Sequence, residues 1–150
     1  MIYLDTSCLL KLLLEEPDSP AVRLAVAAEA GVIVSSLTEL EASTRLRAGW
    51  LAGQFPQARY RTYLRQLTAF RALDPFQFRS LPGSLFETAR RQDRRAGRVH
   101  GRTLDRLHLA AMEELGVPRL MTNDDAEAAG ARVLGFEVIR PAGAPSTRRG

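Results

Sequence analysis

A chain of 150 residues with 45% apolar side chains can bury one core and has the size of a single domain. Cys8 is the only cysteine, which excludes an intramolecular disulfide framework, and the first apolar stretch is short and interrupted by Asp5 and Lys11, so no membrane span is expected and the cytoplasm is the expected compartment. The net charge is +4 with a pI near 10.0, and Lys11 is the only lysine among 21 basic residues. Arginine's planar fork suits phosphate and base edges, so this charge reads either as nucleic-acid binding or as plain solubility.

Ile2-Tyr3-Leu4 is an apolar run that stops at Asp5, and it reads as a buried strand followed by a helix over 8–14. A helix over 18–30 leads to Val32-Ile33-Val34, a second buried strand that stops at Ser35 and Ser36. Helical patterns follow at 37–48 and 54–72, then a short strand at 76–78 and helices at 84–96 and 103–115. After the Gly116-Val117-Pro118 breaker come a strand from Arg119 to Thr122, a helix from Ala126 to Leu134 and a last strand from Phe136 to Ile139. This alternation predicts an α/β protein, a three-layer α/β/α sandwich around a mostly parallel sheet, with its ligands at the carboxyl ends of the strands. Residues 1–140 form the expected domain, and 141–150, PAGAPSTRRG, a flexible tail with little to bury.

Four carboxylates stand out. Asp5 ends the first strand, where it serves either as a helix cap or as part of a site at the strand end. Asp124, after Leu120-Met121-Thr122 and Asn123, repeats that arrangement. If the two strands are neighbours, the two acids converge and repel each other unless a cation lies between them. Helical counting puts Leu37, Leu40, Glu41, Thr44 and Ala48 on one buried face and Glu39 opposite, so Glu41 needs a partner: Arg45 one turn on, or a site. Asp105 lies at the margin of an apolar arc of Leu104, Leu107, Ala111, Met112 and Leu115, beside His108 and near its helix start. The helix dipole alone would favour a carboxylate there, and His108 reads as a hydrogen-bonded packing residue rather than a metal ligand.

Together these segments resemble the PIN-domain family, and within it the VapC-type toxins of toxin–antitoxin pairs. Ile2-Tyr3-Leu4-Asp5-Thr6-Ser7 is similar to the family's opening strand and first acid, and Ser35-Ser36-Leu37-Thr38-Glu39-Leu40-Glu41 to its second segment. Arg102-Thr103-Leu104-Asp105-Arg106-Leu107-His108-Leu109-Ala110 resembles the third, and Met121-Thr122-Asn123-Asp124 with Ala129 to Val138 the closing strand–turn–helix–strand. The resemblance covers about residues 1–140. It implies a ribonuclease whose acidic pocket binds Mg2+ or Mn2+. Asp5 and Asp124 are then the most direct ligands, Asp105 and Glu41 complete the site, and Thr6 and Thr122 orient ligands unless they only stabilise turns. Asp125, an acidic neighbour that departs from the pattern, either takes part in metal binding or caps the helix, and the cap is the preferred reading.

Arg90, Arg91, Arg94 and Arg95 share one face of the 84–96 helix, and Arg98, Arg102 and Arg106 continue the basic run towards Asp105. They form either a rim for RNA phosphates, with Arg94, Arg95, Arg98 and Arg102 foremost, or a solvated face paired with Glu87 and Asp93. The resemblance further implies a small antitoxin covering the groove and a homodimer. Phe55, Tyr60, Tyr63, Leu64, Leu67 and Phe70 along 54–72 supply either that interface or plain core. The rivals are a non-catalytic PIN-like module that binds RNA or protein, and a phosphatase or phosphoacceptor domain. Ser7, where the phosphatase needs a second aspartate, and the absence of a late lysine speak against the last two.

Overall fold

A computed structural model describes residues 1–142. Five strands, β1 (Ile2–Leu4), β2 (Val32–Ser35), β3 (Phe76–Arg79), β4 (Arg119–Met121) and β5 (Glu137–Ile139), form one sheet in the order β3-β2-β1-β4-β5. Every pairing is parallel, so the mostly parallel sheet expected from the alternation is wholly parallel among the described residues. Strands this short carry few hydrogen bonds of their own. They hold because both faces are covered, which is why they read as continuous apolar runs.

The period-2 geometry of a strand sends alternate residues into two cores. Ile2, Leu4, Val32, Val34 and Met121 meet Cys8, Leu9 and Leu13 of α1 (Thr6–Leu13), Val22 and Val26 of α2 (Ser19–Ala27), Ala42 and Leu46 of α3 (Ser36–Leu51) and Leu67 of α4 (Gln57–Ala69). Tyr3, Ile33 and Leu120 point the other way. They meet Leu85 and Ala89 of α5 (Leu85–Arg95), Leu109 to Met112 of α6 (Thr103–Leu115) and Ala131 of α7 (Asp125–Val133). The three-layer α/β/α sandwich is therefore present, with its core on both sides of the sheet. No helix among the described residues is long and apolar enough to cross a membrane.

Three expectations need correction. The pattern over 54–72 splits, because Pro56 opens α4 and the chain tightens into a 3-10 turn over Phe70–Ala72. Leu67 is buried in the core, while the aromatics of this stretch pack half-buried against it: Tyr60 stacks on Trp50 at 5.1 Å and Phe55 meets Tyr63 edge-on. The buried face of α3 is Thr38, Ala42, Leu46 and Gly49, not the face of Leu40, Thr44 and Ala48, and Leu40 is 64% exposed. Small residues let α3 lie close to the sheet, and counting large apolar side chains points one position away from them. Leu104 likewise leaves its expected arc and stands exposed. The expected tail lies, from residue 143 onward, outside the described residues.

Sheet order makes the site. The chain runs outward from β1 to β2 and β3, then returns to the other side of β1 for β4. The ends of β1 and β4 thus flank a topological switch point, where parallel sheets leave a crevice. Gly130 brings α7 against α6: a Cβ there would stand 3.3 Å from Cδ1 of Leu109. Gly116, at φ +66, ends α6 in a left-handed turn that only glycine adopts freely and sends the chain into β4.

Candidate metal centre and acidic recess

Asp5 caps α1 and lines the recess at the strand end as well, so capping and a place in a site are compatible. Its Oδ1 accepts from the Cys8 amide at 3.0 Å and from the Ser7 hydroxyl at 2.7 Å, while Oδ2 accepts from the Thr122 hydroxyl in a short bond. Burial pushes the Asp5 carboxyl up, and the bonds from Thr122, Cys8 and Ser7 oppose that rise. Ser7 also accepts from the Asn123 amide at 3.2 Å, which ties the β1 turn to the β4 turn. Asp124 caps α7 through the Glu127 amide at 2.8 Å, and its own amide donates to Thr122 at 3.0 Å.

Glu41 enters from α3 and is held rather than merely buried. Thr6 donates to its Oε1 in a short bond, Nε2 of His108 lies 3.1 Å from the same oxygen, and Arg45 lies 3.6 Å from Oε2. The His108 bond is the main reason its carboxyl drops to about 2, with Thr6 and the Arg45 charge helping against desolvation. His108 is itself nearly inaccessible, and its Nδ1 stands 2.8 Å from the Tyr3 hydroxyl, which reaches Ser35 at 2.7 Å. Ionised Glu41 can only accept, so the ring presents its Nε2–H to Glu41, and in the neutral imidazole the bare Nδ1 accepts from the Tyr3 hydroxyl. The packing reading of His108 holds, but the packing carries a buried polar chain that ends on a site carboxylate.

Asp105, in the first turn of α6, pairs with Arg102 at 3.3 Å, and the same guanidinium lies 3.8 Å from Asp124. Asp5, Thr6, Ser7, Glu41, Arg45, Asp105, His108, Asp124 and Glu127 line one recess of about 20 Å³. All four expected acids therefore meet, with Thr6 and Thr122 bonded to two of them. Asp125 does not line the recess: it is exposed and pairs with Arg140 at 2.6 Å, and the α7 cap falls to Asp124 instead. Glu127 is the acid that sequence reasoning missed. It lies on the buried stripe of α7 with Ala128, Gly130 and Ala131, small residues that leave helical counting only a faint signal to follow. Burial first, then a hydrogen bond with Asp105 and the charges of Asp105, Asp5 and Asp124, push its carboxyl up to about 10.

The arginines divide. Arg94, Arg95 and Arg98 are exposed, whereas Arg91 is held by Glu113 at 2.6 Å and Arg90 by Glu87 at 3.6 Å. Arg106 leaves the expected basic run: it is 7% exposed, 3.9 Å from Asp93, with Nε and Nη1 lacking hydrogen-bond partners.

Among the described residues no three His, Cys, Asp or Glu side chains stand as a finished coordination set. Each is turned towards a hydroxyl, amide, imidazole or guanidinium, or towards another acid. The donor chemistry nonetheless fits one class of ion. Five carboxylates with hydroxyls between them, and no thiolate at the surface of the recess, suit a hard divalent cation, and Oε1 of Glu127 is buried without a hydrogen-bond partner.

A wholly parallel α/β/α domain with an acidic recess at its switch point is the class defined by this geometry. The chain belongs to the PIN-domain family, whose model matches residues 2–131. It is 33% identical to ribonuclease VapC46 of Mycobacterium tuberculosis over 144 residues, 93% of this chain and 97% of that protein. The fold is similar to that of M. tuberculosis VapC20, a sarcin–ricin-loop-cleaving toxin, with a TM-score of 0.71 at 19% identity over 94% of this chain and all of that one. It is also similar to a chain of FitAcB from Neisseria gonorrhoeae, with a TM-score of 0.68 at 15% identity over 94% of this chain and 98% of that one.

Proposed function

We propose that this chain is a metal-dependent endoribonuclease that hydrolyses RNA phosphodiester bonds as the toxin of a type II toxin–antitoxin pair. The observation that carries the reading is the meeting of Asp5, Glu41, Asp105 and Asp124 in one recess, in a relative of a protein named as a ribonuclease. Asp5, Asp105 and Asp124 would hold Mg2+ or Mn2+, with Glu41 completing the site. When bound, the cation supplies Lewis acidity towards the phosphodiester and towards the attacking water.

The protein's own part is orientation and charge. Thr122 and Ser7 fix the orientation of the Asp5 carboxyl, and Thr6 and His108 fix Glu41 and hold it ionised. Ionised Glu41 is an acceptor suited to orienting the water. Arg102 stands at the mouth between Asp105 and Asp124 and offsets the repulsion between acid and phosphate, and Arg94, Arg95 and Arg98 offer exposed charge for the RNA backbone.

An antitoxin partner is supported by the likeness to FitAcB and to VapBC2 of Rickettsia felis, the latter solved bound to a promoter DNA fragment. Exposed Leu40 and Leu104, with Leu37 and Thr44, line an apolar hollow of about 300 Å³ beside Glu41, where an apolar side chain of such a partner would seat. A homodimer and a cytoplasmic site of action complete the proposal.

The test incubates the purified chain, freed of any co-purifying protein, with structured and single-stranded RNA in Mg2+ or Mn2+, then in chelator, beside Asp5→Asn. Cleavage that needs both the metal and Asp5 is expected. Cleavage that persists in chelator would remove the metal from the reading, and neither cleavage nor cation binding would favour a non-catalytic binding module.

A further inference from the structure

Among the acids of the recess, Glu127 alone has a buried oxygen without a partner. Its side chain is 2% exposed and Oε1 has no hydrogen-bond partner, while the carboxyl's other contact is with a second acid, Asp105. Every other acid there is answered by a donor: Asp5 by Ser7, Cys8 and Thr122, Glu41 by Thr6 and His108, Asp105 by Arg102, and Asp124 by the Glu127 amide.

Stability alone does not explain a glutamate at this position. It sits on the turn of α7 that packs towards α6, beside buried Ala128, Gly130 and Ala131, where a leucine or methionine would fill the same space without stranding an oxygen. The position is also rigid, because Asp124 caps the same turn through the Glu127 amide. An unmet acceptor at a fixed place, facing a recess otherwise walled by carboxylates, calls for a positive ligand. The recess has room for one water-sized species, and its donors are hard oxygens, so the ligand is a divalent cation of the Mg2+ or Mn2+ kind.

We propose that Glu127 is a direct ligand of the divalent cation, a fifth carboxylate beyond Asp5, Glu41, Asp105 and Asp124. The inference rests on the reading of the recess as a cation site. A bound cation would give Oε1 the positive partner it lacks and offset the repulsion between Glu127 and Asp105, so affinity for the ion depends on residue 127 itself.

The experiment titrates Mn2+ into the metal-free protein by electron paramagnetic resonance, and follows melting temperature with and without Mn2+, for wild type, Asp5→Asn, Glu127→Gln and Glu127→Met. Wild type is expected to bind Mn2+ and Asp5→Asn to lose it. Glu127→Gln should weaken Mn2+ binding by about ten- to a hundredfold or more. Glu127→Met should melt higher than wild type without metal yet gain less from Mn2+, a crossing that a structural glutamate would not produce. Loss in Asp5→Asn with wild-type affinity in both Glu127 variants would overturn the inference and leave the cation site standing. Absence of Mn2+ binding in wild type would overturn both.

Discussion

Glu41 and Glu127 line the same recess from opposite sides of the strand ends, and their surroundings push them in opposite directions. Glu41 arrives on α3 and meets a hydroxyl, an imidazole and a guanidinium, which hold it near 2. Glu127 arrives on α7 and meets acids and apolar packing, which push it to about 10. One wall is finished by the protein, and the other awaits a positive charge. Two groups of one type with diverging environments mark a site with divided duties, because a structural ion-pair network would satisfy both.

The largest expected effect separates the two duties of Asp5. Asparagine caps helices about as well as aspartate, so Asp5→Asn should keep the fold, whereas Asp5→Ala should cost about 1 kcal/mol through the lost cap. Both should lower RNA cleavage by more than about a hundredfold if the charge holds the cation. Cleavage assays beside thermal melts check this, and an active Asp5→Asn would reduce Asp5 to its capping role.

Next comes the finished wall. His108→Ala removes the main partner of Glu41 and one partner of the Tyr3 hydroxyl, which keeps its bond to Ser35, so a loss of about 1–3 kcal/mol is expected in denaturant melts, with cleavage reduced alongside. Glu41→Gln should cost about 1 kcal/mol at neutral pH, the carboxylate being partly open to solvent. Its pH dependence has a definite sign. Folding lowers Glu41 from 4.5 to about 2, so its contribution is full above about 4.5 and is lost as pH falls through about 2.

Glu127 has the reverse sign. Folding raises it from 4.5 to about 10, so the folded protein keeps a proton that the unfolded chain releases, and stability falls as pH rises across that window. In chelator, the melting-temperature advantage of Glu127→Gln over wild type should therefore widen from pH 5 to pH 9. A constant gap would break the contrast between the two walls.

How much of this was legible follows from what each signal measures. Strands, helix order and the three layers followed from alternation, because β1 and β2 are buried on both faces and read as unbroken apolar runs. Asp5 and Asp124 followed from their place after strands. Glu41 was reached by an argument whose face was wrong by one position: Ala42 and Gly49 pack where leucines were expected, and it is Thr6 and His108 that draw Glu41 inward. Glu127 escaped because its stripe is built of alanine and glycine, which give little hydrophobic contrast. The Tyr3–His108 bond joins positions 105 residues apart and leaves no local trace.

The smallest effects sharpen the same comparison at the rim. Arg94 and Arg95 are exposed, so Arg94→Ala should weaken RNA binding by about 1 kcal/mol or less, evenly across sequences. The slope of log affinity against log salt should drop by about one if the residue contacts a phosphate. Arg102 differs, since it already spans Asp105 and Asp124 and a cation would compete with it for the same oxygens. Arg102→Ala should thus weaken RNA binding like Arg94→Ala while leaving Mn2+ affinity equal to or higher than wild type, measured on the cleavage-dead Asp5→Asn background for RNA and on the native site for metal. A fall in Mn2+ affinity would mean that Arg102 organises the two aspartates for the ion instead of standing in for it.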